Sequence, residues 1–483
     1  MVNALAIDVG TSSVRTAMVS TTGAVTHVFQ RKLTITSPQP GEVELNATEI
    51  GQAVLELAAR TIDEGGPCVA VGVTNQRATT LIFDPLSGSP LGPTLGWQDL
   101  RTVLDCLVLQ SEGLRLAPNQ SATKAKWLVI NYGSVSKEVR FATIETWVTW
   151  LLSNGRHHIT DRSNAAITGL VTSDVTRWDE RTLGLLGLEL DMMPKIVDTI
   201  GDHGVASALT GAPPITALIG DQPASMFGQS IVRSGAKITF GTGAMLNMVR
   251  GHEGPTTMTP YDSGCFPIVA RSHEGVVTWG IEGIVLSAGS ALDWACDELG
   301  LLDDVATSDS LATSVPGTDG VWFVPALAGL GTPYWDFGAR GGFFGLTRGT
   351  TRAHLVRAIL EGIAHRGADL VDAAERETGA LIDVLRIDGG MSVNRFFIQH
   401  LADITGRTVE VSSEREATTR GAGLMALVGA GLISVDDVDN LWHPTTTVAP
   451  RLSDGDRLAS RQQWRTMVSR VERTIPELSA VSF

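Results

Sequence analysis

The sequence lacks the features that mark secreted and nucleic-acid-binding proteins. Its 483 residues include only four cysteines, and these are widely spaced without a CxxC pair: Cys68, Cys106, Cys265 and Cys296. This pattern predicts reduced thiols rather than disulfides or a zinc site. Acidic residues outnumber basic ones by 52 to 37, for a net charge of −15. No basic surface is therefore expected for nucleic acid or for anionic lipid.

Long apolar runs are also lacking. No stretch approaches the ~18 residues that indicate a membrane-spanning helix. The N-terminus, MVNALAIDVG, has no basic segment and contains an acid at Asp8, so no signal peptide is predicted. We therefore expect a cytoplasmic protein. The length of 483 residues suggests two to four domains, and the apolar residues, 43% of the chain, are enough to form a large core.

Two common nucleotide-binding motifs are missing as well. The chain has no G-x-x-x-x-G-K-[ST] segment and no GxGxxG after a strand, so neither a P-loop protein nor a dinucleotide-binding fold is predicted. No lysine follows Lys237. Phosphate binding in the C-terminal half would therefore depend on backbone amides, hydroxyls, arginines and a metal ion.

What the sequence does contain is an α/β pattern that begins twice. LAIDV, VRTAMVS and AVTHVF predict consecutive antiparallel strands, and a helix ending at Gly65-Gly66 and the buried strand VAVGVTNQ follow. A similar beginning near residue 235, SGAKITFGTGAMLNMVRG, indicates an internal duplication. A long helix is predicted over 351–379, and a strand–turn–helix unit, LRIDGGMSVNRFF, comes after it. We predict an α/β protein with two domains, residues 1–232 and 233–483.

The segment LAIDVGTSSVRT places Asp8 at the end of a buried strand, before a glycine and three hydroxyl residues. The carboxylate could simply cap the turn. The functional alternative is that the turn surrounds a phosphate while Asp8 holds a hydrated Mg²⁺ ion, since two anions would otherwise repel. Two more glycine turns after strands, FGTG at 240–243 and DGGMSVN at 388–394, favour the functional alternative.

A second acid, Asp221, ends the apolar strand in ITALIGDQPASMFG and precedes a predicted helix. It could be an N-cap residue. It could instead be the general base that accepts the proton of an alcohol during phosphoryl transfer. The second role requires the fold to bring Asp8 and Asp221 to one cleft.

An ordered set of motifs along nearly the whole chain resembles the FGGY carbohydrate kinases, and within them the glycerol kinase branch. The motifs include DVGTSS, GVTNQRATT, WQDLRT, SATKAKW, GDQPASMFGQ, FGTG and PALAGLGTPYWD. The resemblance implies two actin-like (ribonuclease H-like) ATPase domains that hold ATP, Mg²⁺ and the acceptor in the cleft between them. It implies ATP-dependent phosphorylation of a hydroxyl group on a small polyol or sugar, and assembly into homodimers or homotetramers.

The resemblance also assigns site residues by position. It places nucleotide-binding groups at Thr11, Ser12, Ser13, Arg15, Thr242, Gly289, Asp293, Gly390 and Asn394. It places acceptor-binding groups at Arg77, Trp97, Asn119, Asp221, Gln222 and Met245. Asp221 would be the catalytic base and would share the Mg²⁺ ion with Asp8. For Trp97, the alternative is an ordinary core position.

Four positions depart from the glycerol kinase pattern. Ala78 replaces a glutamate, Asn119 a tyrosine, Met245 a phenylalanine and Asp293 a glutamine. A buried hydroxyl that loses its partner costs about 1–3 kcal/mol, and both Ala78 and Asn119 leave more space. We therefore expect a four- or five-carbon polyol or a related sugar as acceptor. A true glycerol kinase that forms glycerol 3-phosphate is the alternative.

Two other classes of protein share the actin-like fold. A non-catalytic sugar sensor needs no base beside its ligand, so the presence of both Asp8 and Asp221 disfavours it. A chaperone-type ATPase has no use for WQDLR or for the segment around Arg77. The sequence therefore favours an enzyme.

Overall fold

A computed structural model describes residues 2–136, 138–414 and 416–481. The strands are β1 (Asn3–Val9), β2 (Ser13–Ser20), β3 (Val25–Lys32), β4 (Glu44–Leu45), β5 (Ala70–Asn75), β6 (Thr80–Asp84), β7 (Ser89–Pro90), β8 (Thr94–Leu95), β9 (Arg140–Thr143), β10 (Ile159–Asp161), β11 (Lys195–Val197), β12 (Ile215–Gly220), β13 (Ala236–Phe240), β14 (Ala244–Gly251), β15 (Phe266–His273), β16 (Val276–Val285), β17 (Trp322–Val324), β18 (Gly342–Phe344), β19 (Val384–Asp388), β20 (Thr408–Ser412) and β21 (Pro444–Val448). The α-helices are α1 (Ala47–Gly65), α2 (Val103–Ser111), α3 (Ala122–Tyr132), α4 (Ile144–Leu152), α5 (Arg162–Ala165), α6 (Glu180–Leu186), α7 (Asp221–Gly228), α8 (Gly289–Asp297), α9 (Ser308–Thr313), α10 (Arg352–Thr378), α11 (Arg395–Thr405), α12 (Ala417–Gly429), α13 (Val435–Asp439), α14 (Asp454–Val468) and α15 (Pro476–Ser479).

The N-terminal half is built on a five-stranded sheet with the order β12-β5-β1-β2-β3. Strands β1, β2 and β3 are antiparallel neighbours, as their sequences predict. Strand β5 runs parallel to β1, and β12 runs parallel to β5. The carboxyl ends of these three parallel strands therefore meet at one edge of the sheet, where Asp8 and Asp221 also lie.

The C-terminal half repeats this arrangement in a seven-stranded sheet with the order β15-β16-β14-β13-β19-β20-β21. Strands β13, β14 and β16 form antiparallel pairs, and β19 and then β20 follow as parallel neighbours of β13. The order β16-β14-β13-β19-β20 thus corresponds to β3-β2-β1-β5-β12. The duplication predicted from the two similar beginnings is confirmed by this shared topology.

The two long helices expected from the sequence end where their glycines predict. Helix α1 begins after Asn46, whose side chain accepts from the backbone N of Thr48 at 2.9 Å, and its C-cap is Gly66. Helix α10 ends at Gly379, which adopts the left-handed conformation with φ of 68°. A glycine stops each helix because it accepts a positive φ without a Cβ clash.

Helices α7 and α12 touch through glycines and join the two halves. A Cβ atom added at Gly228 would lie 1.8 Å from the carbonyl oxygen of Ala417, and one at Gly421 would lie 1.8 Å from that of Ala224. Helix α12 also packs on the N-terminal sheet, where a Cβ at Gly72 would come within 2.1 Å of the α12 backbone. Residues 417–429 therefore belong by sequence to the C-terminal half but share the core of the N-terminal one.

Two expectations from composition can be compared with the described residues. All four cysteines are free thiols, as predicted. Within the described ranges, no helix has the length and apolar character required to cross a bilayer.

Candidate active site

Asp8 lies at the end of β1 and is only 6% exposed. Its carboxylate accepts a hydrogen bond from Thr419 Oγ1 on α12 at 3.0 Å, and Arg15 Nη1 lies 3.8 Å away. Burial raises the pKa of Asp8 to about 6, against the opposing effects of Arg15 and Thr419. The charge of Asp221 adds to this rise, so the two carboxylates share one electrostatic environment.

Asp221 is the first residue of α7 and is not its N-cap, because Gly220 takes that position. The capping alternative is therefore wrong. Asp221 Oδ1 accepts from the backbone N of Gln222 at 2.7 Å and from Arg77 Nε at 3.2 Å. Burial raises the pKa of Asp221, although Arg77 opposes the shift. The side chain of Asp221 is 32% exposed, so a ligand in the cleft can still reach it.

Arg77 joins Asp221 to a carboxylate of the second domain. Its Nη2 donates to both oxygens of Glu282 on β16, at 2.9 and 2.8 Å, and Asn247 Nδ2 donates to Glu282 Oε2 at 2.7 Å. Glu282 is 2% exposed. The sequence alone did not predict Glu282 as a site residue. The available signal was an acid inside an apolar strand, VVTWGIEGIV, because a buried carboxylate needs a partner.

The hydroxyl turn after β1 is connected to the acceptor side of the site. Trp97 Nε1 donates to Thr11 Oγ1 at 3.1 Å, and Trp97 is partly buried rather than a core residue. Ser13 Oγ accepts from Gln30 Nε2 at 2.8 Å, whereas Ser12 is exposed. The predicted phosphate-binding and acceptor-binding segments therefore contact each other directly.

Arg15, predicted to bind phosphate, lies between two carboxylates. Its Nη1 is 2.5 Å from Glu416 Oε2 and 3.8 Å from Asp8. Its Nε is buried without a partner among the described residues. Arg15 therefore lies beside Asp8, and contact with a nucleotide stays a prediction.

The glycine turn of the second domain packs against the start of α8. Gly289 N donates to the carbonyl oxygen of Gly241 at 2.9 Å, and Ala288 N donates to that of Thr242 at 2.9 Å. A Cβ atom at residue 289 would lie 2.6 Å from Gly241 O. Because this distance is too short, only glycine fits at this position. Thr242 and, further along α8, Asp293 are exposed to solvent.

The predicted nucleoside residues lie in the turn after β19. Gly390 is exposed at the start of a short 3₁₀ turn, and α11 begins only at Arg395. Asn394 is the N-cap of α11, where its Oδ1 accepts from Phe397 N at 2.8 Å and its Nδ2 donates to Ser308 Oγ at 3.0 Å. The structure thus shows a capping role for Asn394, and its contact with a nucleoside stays a prediction.

Gln76 is an unpaired amide between the two acids. It follows β5, the strand between β1 and β12, and its backbone N donates to Val9 O at 2.8 Å. The side chain is 1% exposed, and both of its polar atoms lack a partner within the described ranges. The buried amide therefore leaves one donor and one acceptor open to a water molecule or a polar ligand.

These groups fit a hydrated Mg²⁺ ion. Within the described ranges, no cluster of three or more His, Cys, Asp or Glu side chains could hold a metal by itself. Mg²⁺ does not need such a cluster, because it usually keeps several waters and takes one or two carboxylates together with phosphate oxygens. Asp8 and Asp221 could supply the carboxylates, and Gln76 offers both a donor and an acceptor.

The predicted acceptor segments converge on a buried lysine, Lys124. Its Nζ donates to the carbonyl oxygens of Gly96 at 2.9 Å, Asn119 at 3.2 Å and Ala78 at 3.3 Å. These segments carry Arg77, Trp97 and Asn119. Lys124 is fully buried, and Ala78 has a positive φ of 62°. Lys124 lies in the motif SATKAKW, but the sequence alone predicted no role for it. Asn119 itself is exposed, and Met245 on β14 is partly buried.

A second buried acid, Glu145, supports the strand that leads to Arg77. Its carboxylate accepts from the hydroxyls of Thr143 and Thr160 at 2.6 Å each and from Asn75 Nδ2 at 3.1 Å. Burial raises the pKa of Glu145 to about 7, and the charge of Asp161 adds to the rise.

The raised pKa predicts how stability depends on pH. The folded state favours protonated Glu145, whereas the unfolded chain releases this proton near its ordinary pKa of 4.5. This contribution to stability is fully present below that value and is lost as the pH rises through about 7. We expect the free energy of unfolding to fall by up to about 3 kcal/mol from this cause. Urea titrations at a series of pH values should show the fall in the wild type and a smaller one in Glu145→Gln. Equal slopes in both proteins would contradict the assignment.

The fold and the site together define an ATP-dependent phosphotransferase. Two domains of shared topology meet through Arg77 and Glu282, a hydroxyl-rich turn follows Asp8, and Asp221 lies beside Arg77 at the same edge. Comparison with known proteins specifies the class further. The N-terminal domain of the FGGY family of carbohydrate kinases matches residues 3–228, and its C-terminal domain matches residues 236–430. The chain belongs to the FGGY family of carbohydrate kinases.

Individual relatives agree with this assignment. A glycerol kinase of Dechloromonas aromatica is 38% identical over an alignment of 492 positions, gaps included, that covers 96% of this chain and 97% of the relative. The crystal structure of Plasmodium falciparum glycerol kinase with ADP aligns with a TM-score of 0.91 at 27% identity, covering 100% of this chain and 99% of that one. A ligand-bound xylulose kinase from Lactobacillus acidophilus shares the fold with a TM-score of 0.87 at 18% identity, covering 99% of each chain.

These findings confirm two predictions from the sequence. The fold consists of two actin-like, ribonuclease H-like ATPase domains. The protein is an ATP-dependent carbohydrate kinase that uses ATP with Mg²⁺.

Proposed function

We propose that the protein transfers the γ-phosphoryl group of ATP to a hydroxyl group of a four- or five-carbon polyol or a related sugar. The observation that carries this proposal is the missing carboxylate at Ala78, directly beside Arg77. Arg77 Nε and Nη2 are already engaged by Asp221 and Glu282. A small acceptor would thus find neither a carboxylate at position 78 nor a large side chain at Asn119, whereas a longer one can fill the freed space.

Asp221 is the proposed base. Both bonds that hold its carboxylate, from Arg77 Nε and from Gln222 N, end on Oδ1. Oδ2 has no partner among the described residues and can accept the proton of the acceptor hydroxyl. The raised pKa of Asp221 makes it a stronger base than an exposed aspartate. The hydroxyl oxygen then bonds to the γ-phosphorus. The bond between the γ-phosphorus and the oxygen that bridges the β- and γ-phosphates breaks, and ADP leaves.

The remaining residues bind and orient the substrates. We propose that Thr11, Ser12, Ser13 and Arg15, with Thr242 and Gly289, contact the nucleotide phosphates, and that Gly390, Asn394 and Asp293 lie near the nucleoside. Bound Mg²⁺ supplies positive charge to the phosphate oxygens. Asp8, fixed by Thr419, is placed to hold the hydrated ion. Arg77, Trp97, Asn119, Gln222 and Met245 would surround the acceptor.

A panel of acceptors tests the proposal. We expect kcat/KM, measured by ADP release, to be higher for at least one of erythritol, threitol, ribitol, xylitol, arabitol and xylulose than for glycerol. The wild-type enzyme without any acceptor is the control for ATP hydrolysis. Glycerol as clearly the best substrate would overturn the proposed acceptor and leave the kinase assignment intact.

Glycerol is the second candidate acceptor. The full-length similarity to proteins named glycerol kinase favours it, as does the presence of Arg77, Trp97, Asp221 and Gln222 in the expected segments. The sensor alternative predicts no ADP release with any acceptor, so the same panel separates the longer-polyol kinase, the glycerol kinase and the sensor.

We also propose a cytoplasmic location, which the four free thiols support. Assembly into homodimers or homotetramers stays a prediction.

A further inference from the structure

Lys237 is a fully buried lysine on β13 of the second domain. Its ammonium donates to Gln222 Oε1 at 3.0 Å and to Thr239 Oγ1 at 2.7 Å. Gln222 belongs to α7 of the first domain and directly follows Asp221. The last lysine of the chain thus reaches across to a residue next to the proposed base.

The ammonium restricts how Gln222 can be oriented. The two ends of a glutamine amide have nearly the same shape but opposite hydrogen-bonding character, and an ammonium has donors only. Gln222 must therefore turn its oxygen toward Lys237 and its NH₂ group away. Although burial lowers the pKa of Lys237, the charges of Asp388, Glu282 and Asp221 oppose the shift and favour the protonated form.

The outward NH₂ group has a defined consequence for the acceptor. In the described part of the chain, no partner is seen for Gln222 Nε2 or for Oδ2 of the preceding residue, Asp221. A hydroxyl between these two atoms would accept from Nε2 through its oxygen and donate its hydrogen to Asp221. If the amide were reversed, Oε1 would compete with Asp221 for that hydrogen.

We propose that Lys237 is a positioning residue that fixes the Gln222 amide with its NH₂ group toward the acceptor hydroxyl. This inference rests on the proposed function of Asp221 and Gln222. It adds a residue of the C-terminal domain to the acceptor site.

A double-mutant cycle tests whether Lys237 acts through Gln222. With the best polyol of the panel, we expect Lys237→Met to raise the acceptor KM about tenfold, the effect of one misdirected hydrogen bond. The KM for ATP should stay within about twofold of wild type. In a Gln222→Ala background, Lys237→Met should change the acceptor KM little, because the group it orients is gone. Lys126→Met, which removes a surface lysine paired with Asp105 at 3.1 Å, is the charge-matched control and should leave both KM values unchanged.

Two further variants keep the test decisive if Lys237→Met does not fold. Gln222→Glu still accepts from Lys237 but has no N–H group for the acceptor, so it should fold normally and raise the acceptor KM. Lys237→Gln can donate to Gln222 Oε1 and should restore part of the affinity lost in Lys237→Met. Additive effects in the cycle, equal changes in both KM values, or a normal acceptor KM in Gln222→Glu would overturn the inference. An inactive wild type would instead overturn the proposed function itself.

Discussion

Asp221→Asn is expected to lower kcat by about 10²–10⁴-fold while the KM for ATP stays nearly unchanged. The amide cannot accept the hydroxyl proton, yet it keeps the size of the carboxylate and can still accept from Gln222 N through Oδ1. ADP release under saturating acceptor measures kcat, and a titration with ATP measures nucleotide affinity.

The matched control for this loss is Asp202→Asn. Asp202 is exposed, and among the described residues its side chain accepts only from the backbone N of Gly204 at 2.9 Å, so the variant should retain full turnover. Thermal denaturation of both variants separates a chemical defect from an unfolded protein. Normal turnover in Asp221→Asn would remove Asp221 from its role as base.

Restoring the glutamate and tyrosine of the glycerol kinase pattern should change the preferred acceptor. In the double variant Ala78→Glu, Asn119→Tyr, the ratio of kcat/KM for glycerol to that for the best longer polyol should rise about 5- to 150-fold. This range corresponds to the 1–3 kcal/mol for a buried hydroxyl that regains its partner. Ala78 already has a strained positive φ of 62°. Because alanine and glutamate both carry a Cβ atom, glutamate at this position adds no new backbone strain.

The control for the acceptor switch is Ala78→Gln, Asn119→Tyr. Glutamine fills the same space as glutamate without its charge, so a weaker gain for glycerol is expected. If both double variants favour glycerol equally, pocket volume rather than the carboxylate sets the preference. An unchanged ratio in both would contradict a role for these two positions.

Features encoded by neighbouring residues could be predicted from the sequence. The β1–β2–β3 hairpins, α1 with its glycine cap and α10 with Gly379 all depend on local periodicity and turn chemistry, and each was confirmed. The sequence set the meeting of Asp8 and Asp221 only as a condition for the proposed chemistry, and the parallel pairing of β1, β5 and β12 brings them to one edge. The second glycine-rich beginning likewise predicted the second sheet.

Features that depend on partners distant in the chain could not be predicted. Glu282, Lys124 and Lys237 are charged residues in buried positions, and sequence alone does not say which oxygen or guanidinium meets them. Gln76 gave no signal, because an unpaired amide becomes informative only once its burial is known. The N-cap role suggested for Asp221 was wrong because Gly220 supplies the required extended conformation.

The glycine contact between α7 and α12 has a consequence for which substitutions the enzyme can tolerate. Helix α7 begins with Asp221, and α12 carries Thr419, which holds Asp8. Since the backbones meet at Gly228 and Gly421, even one added methyl group must push the helices apart and shift both acids. A saturation mutagenesis screen scored by growth should thus find these two small residues, buried well behind the reacting atoms, about as intolerant of replacement as the acids themselves.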